Sequence, residues 1–191
     1  IQILGYLKVP GYSDYLHPFK DNYLIGFGYD TNQKNNGAVV NSGYKVSLFD
    51  ISDFKNPKQI DTKVIGKQGT YSPLSSDHKA LMFDYNRNIF AFPVQVTDLV
   101  KKTYNGDTYE EEIPVFNGAY VFSVSEKGFN LKGKITHLNA KQQKESQEHI
   151  YDYYAQIQRA VQIGNTIYTI SNGGIKSTNM TSFKEVSYIK L

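Results

Sequence analysis

From its N-terminus onward the chain lays down short stretches in which apolar and polar residues alternate, the period of two expected of strands that bury one face. Three times these stretches come in one order: an apolar strand, a tight turn, a second strand, an aromatic strand led by glycine, and a last alternating strand. The first set covers residues 15–19, 22–28, 43–50 and 58–64, and the second covers 78–83, 88–94, 118–124 and 130–135. The third covers 158–163, 166–171, 174–176 and 186–191. Such repetition predicts an all-β, β-propeller-like fold of about three four-stranded antiparallel blades. The expected blades are about 12–66, 71–138 and 155–191, within one partial propeller domain over 1–191.

Turn chemistry falls where the pattern needs reversals. Lys20-Asp21-Asn22, residues 84–88 and Gly164-Asn165 supply the Asn, Asp and Gly that tolerate positive φ, and Pro57 pre-sets φ before an outer strand. Amphipathic helices of the kind a barrel or doubly wound fold requires are missing from the pattern. The polar stretch 139–156 reads as a loop with at most a short surface helix, and 30–41 and 97–113 read as polar insertions between strands. Residues 2–9 look like the outer strand of a preceding blade. Three blades cannot close a ring, so the chain reads as the C-terminal part of a larger propeller. Its open edge is then covered by missing N-terminal blades or by a second copy.

Several segments carry a family likeness. These are 12–18, 45–53 with Asn56-Pro57, Gly69-Thr70-Tyr71-Ser72, Asp77-His78-Lys79-Ala80 and Ala91-Phe92-Pro93-Val94, followed by 133–138, Ile157-Gln158-Arg159, 167–172 and Gly174-Ile175-Lys176. In order and over nearly the whole chain, they resemble the secreted bacterial and archaeal proteins with a C-terminal β-propeller domain distantly related to WD40 repeats. That resemblance implies a secreted or cell-envelope location and assigns no reaction.

Composition narrows the classes further. With 40% hydrophobic and 20% charged residues among 191 and a mean hydropathy of −0.47, the chain fits neither a disordered segment nor a membrane-embedded protein. No apolar run approaches the roughly 18 residues of a spanning helix. Sixteen Tyr, 11 Phe and 15 Gly without any Trp favour strands and turns. Twenty-one Lys+Arg against 18 Asp+Glu give a net charge of +3, and only Arg87 and Arg159 are Arg. Nucleic acid is therefore not an expected partner. Zero Cys excludes disulfides, thiolate nucleophiles and Cys-ligated metals.

Superposing the three units by their patterns places His17, Lys79 and Arg159 at the start of each innermost strand, where propeller blades line a central channel. With Asp77 and His78 beside them, these five residues are the expected contacts for a protein, a peptide or a small anionic ligand. The competing expectation is that they pair with one another and lock neighbouring blades. The oxygen-rich run Asp30 to Gly37 lacks the alternating acids of a calcium loop, since Lys34 takes a ligand slot, so a solvated hairpin tip is expected. Glu110-Glu111-Glu112 reads as an acidic loop, because neighbours on a strand diverge. The four His (17, 78, 137, 149) show no zinc spacing, and no Ser sits in a nucleophile elbow. No catalytic residue, metal or cofactor is expected. The alternative is an envelope hydrolase on a propeller scaffold, recognisable by a carboxylate pair or a Ser–His contact.

Overall fold

The computed structural model describes residues 3–34 and 36–191, and its strands form three sheets, each of four antiparallel strands in chain order. Blade one holds β1 (Tyr12–Phe19), β2 (Tyr23–Gln33), β3 (Val39–Asp50) and β4 (Lys58–Ile65). Blade two holds β5 (Met82–Asp84), β6 (Ile89–Tyr104), β7 (Asp107–Ser125) and β8 (Gly128–Ile135). After the helix α1 (Ala140–Gln147), blade three holds β9 (Ile157–Ile163), β10 (Thr166–Ser171), β11 (Gly174–Asn179) and β12 (Glu185–Lys190).

Period-two alternation builds the packing. On β6 and β7 the even-numbered Phe90, Phe92, Val94, Tyr120, Phe122 and Val124 enter one buried cluster with Phe19, Ile25, Phe27, Tyr44, Val46 and Leu48 of blade one. Their neighbours Ala91, Ala119 and Val121 point the other way, into a cluster with Ile157, Ala160 and Ile167 of blade three. Large rings therefore face one neighbour and small side chains the other, so consecutive sheets stack like wedges. Phe90 meets five rings at centroid distances of 5.6 to 6.2 Å, those of Phe27, Phe83, Phe92, Phe122 and Phe129.

The reversals use the residues the sequence offered. Lys20, Asn88 and Gly164 take positive φ in the first hairpin of each blade. Asp84 Oδ1 accepts the backbone N–H of Asn86 and Arg87, and Oδ2 pairs with the Arg87 guanidinium at 2.7 Å.

Two polar segments depart from the sequence reading. Residues 30–41 and 97–113 are not inserted loops: β2 and β3 stay paired out to Gln33 and Val39, and β6 and β7 out to Tyr104 and Asp107. The second pair forms a two-stranded arm closed by Asn105-Gly106, with φ of 51° and 88°, a turn whose twist matches that of its strands. The acidic run lies on this arm rather than in a loop. Glu110 stands opposite Lys101, and Glu111 pairs with Lys102 and with His149 Nε2 at 3.3 Å. Asn35 of the run 30–37 lies outside the described residues; Asp30 to Gln33 belong to β2, and Lys34, Asn36 and Gly37 lie at the hairpin tip.

Among the described residues, 3–9 pair with no strand, and Gln2 lies outside them. Gly5 packs on the Phe54–Lys55 backbone, and the Pro10 carbonyl accepts from the buried Lys45. The helix in the 139–156 stretch is two turns long and starts in a capping box, with Asn139 Oδ1 accepting the Gln142 N–H at 2.9 Å and Gln142 Oε1 accepting the Asn139 N–H at 2.9 Å.

Candidate functional site

The first strand of each sheet, β1, β5 or β9, is an edge strand; β5 packs on β9, and Phe83 of β5 meets His17 and Phe19 of β1. Four of the five residues expected to bind a ligand are joined across this shared edge. Tyr15 and His17, two apart on β1, lie on one face. His17 Nδ1 meets the Tyr15 hydroxyl at 2.9 Å and its Nε2 meets the Tyr85 hydroxyl of blade two at 2.8 Å. The imidazole lies 4.8 Å from the Phe83 ring. Tyr15 in turn stacks on His78, with centroids 4.2 Å apart and planes 19° from parallel. Burial holds the His17 pKa below its ordinary value, which favours the neutral ring.

Asp77 completes the blade two side. Its Oδ1 accepts the Lys79 N–H at 3.0 Å, capping the 3-10 turn His78–Ala80, while Oδ2 accepts from the Arg159 guanidinium of β9. That hydrogen bond from Arg159, followed by the one from the Lys79 backbone, holds the Asp77 carboxyl below the usual carboxylate range. The pair ties blade two to blade three with both side chains over a third exposed. Lys79 is exposed, and among the described residues its ammonium has no ion-pair partner.

The three cations are not at equivalent positions. Arg159 stands four residues from the end of β9 and His17 two from the end of β1, while Lys79 precedes β5 altogether. Proline causes the mismatch. Gln95 exchanges both its backbone hydrogen bonds with Tyr71, so Pro93, two residues earlier, turns the same edge of β6 inward with no N–H to offer. The inner strand cannot run past it: β5 pairs only with residues 89–91. Two 3-10 turns fill the gap, the Ser72 hydroxyl donating to the Pro93 carbonyl at 2.6 Å. Lys79 rides on the second turn.

A further buried histidine was not singled out by the sequence. His137, 9% exposed, follows β8 and bonds through Nδ1 to the Ser171 hydroxyl and through Nε2 to the Thr169 hydroxyl, both at 2.9 Å. This is the Ser–His contact a hydrolase would need, and its surroundings disqualify it. Ser171 is 3% exposed and already accepts the Gly173 N–H. The second imidazole nitrogen meets a hydroxyl where a triad places a carboxylate. Burial, and after it the Lys176 ammonium, push the His137 pKa down to about 4, so the imidazolium that proton abstraction must generate is disfavoured. The spacing Asn139…Gln142, a helix-start signature, is the local signal of structure that the sequence offers next to this residue. Among the described residues no group of three or more His, Asp or Glu is placed to hold a metal.

The comparisons with known proteins agree with the sheets. The chain matches the beta propeller domain family over residues 1–183. An uncharacterized protein of Methanocaldococcus jannaschii is 33% identical over 130 residues, which is 68% of this chain and 16% of that protein. An uncharacterized protein of Archaeoglobus fulgidus is 37% identical over 92 residues, 48% of this chain and 13% of that protein. The aligned parts thus span less than a fifth of these curated relatives.

Proposed function

Because the chain belongs to the beta propeller domain family, we propose that it is a non-enzymatic binding segment of a larger, WD40-like propeller acting outside the cell or in its envelope. The ligand is a protein, a peptide or a small anion, met at the rim where the inner strands gather. One observation carries this reading: Lys79 and His78 are exposed beside the Asp77–Arg159 bridge, so the rim presents a cation with no ion-pair partner among the described residues where blades two and three join. Arg159 and Asp77 hold the rim, His17 ties it to blade one, and His78 and Lys79 make the contacts.

The larger propeller is supported by the outer face of blade three. Strand register places Val161, Ile170, Ile175 and Ile189 together on the side of blade three turned from blade two. Ile189 is 60% exposed there and Val161 43%. Further blades are the proposed cover, and the greater length of the archaeal relatives leaves room for them. Sedimentation of the 191-residue chain distinguishes the alternative, since concentration-dependent dimers would assign this face to a second copy.

The rim is tested with Lys79→Ala and the double variant Lys79→Ala/Arg159→Ala, against an array of acidic peptides and inorganic phosphate. Loss of binding with an unchanged melting curve for Lys79→Ala supports the reading. Unaltered binding in both variants, or no binding by the parent chain, removes it. A melting temperature that falls only in the double variant would make Arg159 a blade lock. The hydrolase alternative predicts covalent labelling of Ser171 by a fluorophosphonate; the burial of its hydroxyl predicts none.

A further inference from the structure

Between the helix cap, the 3-10 turn at 153–155, the β10–β11 turn and the end of β12 lies a cleft of about 360 Å³ with His137 at its base. Its size falls in the ordinary range of small-ligand sites. Neither the propeller fold nor the rim accounts for it, and its polar side chains are already held in place. Asn139 Oδ1 is fixed by the Gln142 N–H, leaving the amide NH₂ free to donate. Gln142 Nε2 donates to Asp152 Oδ2 at 2.8 Å, and Asp152 Oδ1 accepts the N–H of Tyr154 and Ala155. The carboxylate keeps lone pairs for a further donor. Groups fixed before a ligand arrives lose little side-chain entropy on binding.

Two phenol rings complete the lining. Tyr188 donates its hydroxyl to the Gly173 carbonyl at 3.3 Å and meets the His137 ring at 5.3 Å, nearly perpendicular, while Tyr154 is 71% exposed. Tyr154 offers an apolar face with a polar tip, and the Tyr188 ring carries the Lys176 ammonium 5.6 Å from its centroid. The formal charges that line the cleft, Asp152 and Lys190, cancel, and His137 at its base is neutral above acid pH. Neither an anion nor a cation is selected by such a balance. Fixed amide and carboxylate groups beside a phenol face suit a ring that carries hydroxyls around its edge and C–H bonds on its flat side.

We infer that this cleft is a binding site for a neutral saccharide unit, separate from the rim. The test is a titration of the ¹⁵N-labelled 191-residue chain with D-glucose, D-mannose, D-galactose and N-acetyl-D-glucosamine, with inorganic phosphate and tetramethylammonium as charged probes. At least one sugar is expected to shift the amides of Asn139, Gly173 and Tyr188, and neither charged probe should. Tyr154→Ala should weaken that sugar about three- to tenfold, whereas Tyr153→Ala, exposed but outside the cleft, should not. The Tyr154 backbone makes its hydrogen bonds without the ring, and the same spectra report whether the variant is folded. Failure of all four sugars to shift these amides overturns the assignment, as does a response to phosphate or tetramethylammonium at the same amides, or a Tyr154→Ala variant that binds as the parent does.

Discussion

His137 makes the stability of blade three depend on pH in a way that can be worked through. A pKa of about 4 in the folded chain, against an ordinary 6.5, means that the unfolded state binds more protons than the folded state between those values. Stability from this residue is therefore complete above about pH 6.5 and falls progressively as the pH drops toward 4. The difference corresponds to about 3 kcal/mol. The charged groups that act on the ring are Lys176, which sits 16% exposed beside it in a pair with Glu185 at 2.8 Å, and Glu185 itself, whose weaker pull opposes it. Urea unfolding from pH 7.5 to 4 isolates the effect when the chain is compared with His137→Asn, because the carboxylates common to both cancel in the difference. The asparagine variant should start less stable by about 1 kcal/mol, having lost the Thr169 contact, and acidification should shift the difference by about 3 kcal/mol in its favour, so that the order reverses. Parallel curves for the two proteins, or an NMR titration of the His137 ring near 6.5, would refute the reasoning.

Other perturbations separate the core from the arm. Phe90→Ala removes a fully buried ring whose five aromatic neighbours are themselves held by two blades, so the cavity cannot collapse. The expected loss is about 4 kcal/mol, a drop of roughly 10 °C in melting temperature, measured by calorimetry. Gly106→Ala meets no neighbouring atom, yet φ is +88°. Its cost of about 1 kcal/mol should appear as faster amide exchange at Lys101–Thr108 with the global melting temperature unchanged.

Blades were legible in the sequence because their strands alternate on both faces: Phe90-Ala91-Phe92 writes a large side and a small side into consecutive residues. The arm was not legible, since Lys101, Lys102 and the three glutamates are as polar as a loop. Asn105-Gly106 was the signal that a hairpin closes there. Lys79 was misplaced because register depends on which edge of β6 lacks an N–H, and Pro93 reveals that only once Tyr71 is seen to pair with Gln95. His17, Asp77, His78 and Arg159 were proposed by type and neighbourhood, while Tyr15 and Tyr85, which clasp His17, read as ordinary strand and turn aromatics. The cleft above His137 gathers side chains from three separate segments, so no local pattern announced it.

The central claim, that consecutive four-stranded sheets stack face to face with their first strands gathered at one edge, is tested most directly by NOE spectra of the chain with labelled Phe and His. Ring-to-ring contacts are predicted from Phe27 to Phe90 and Phe92, whose centroids lie 5.7 and 5.6 Å away, and from His17 to Phe83. Spectra in which Phe27 sees only residues of its own sheet, and His17 sees none of blade two, would contradict it.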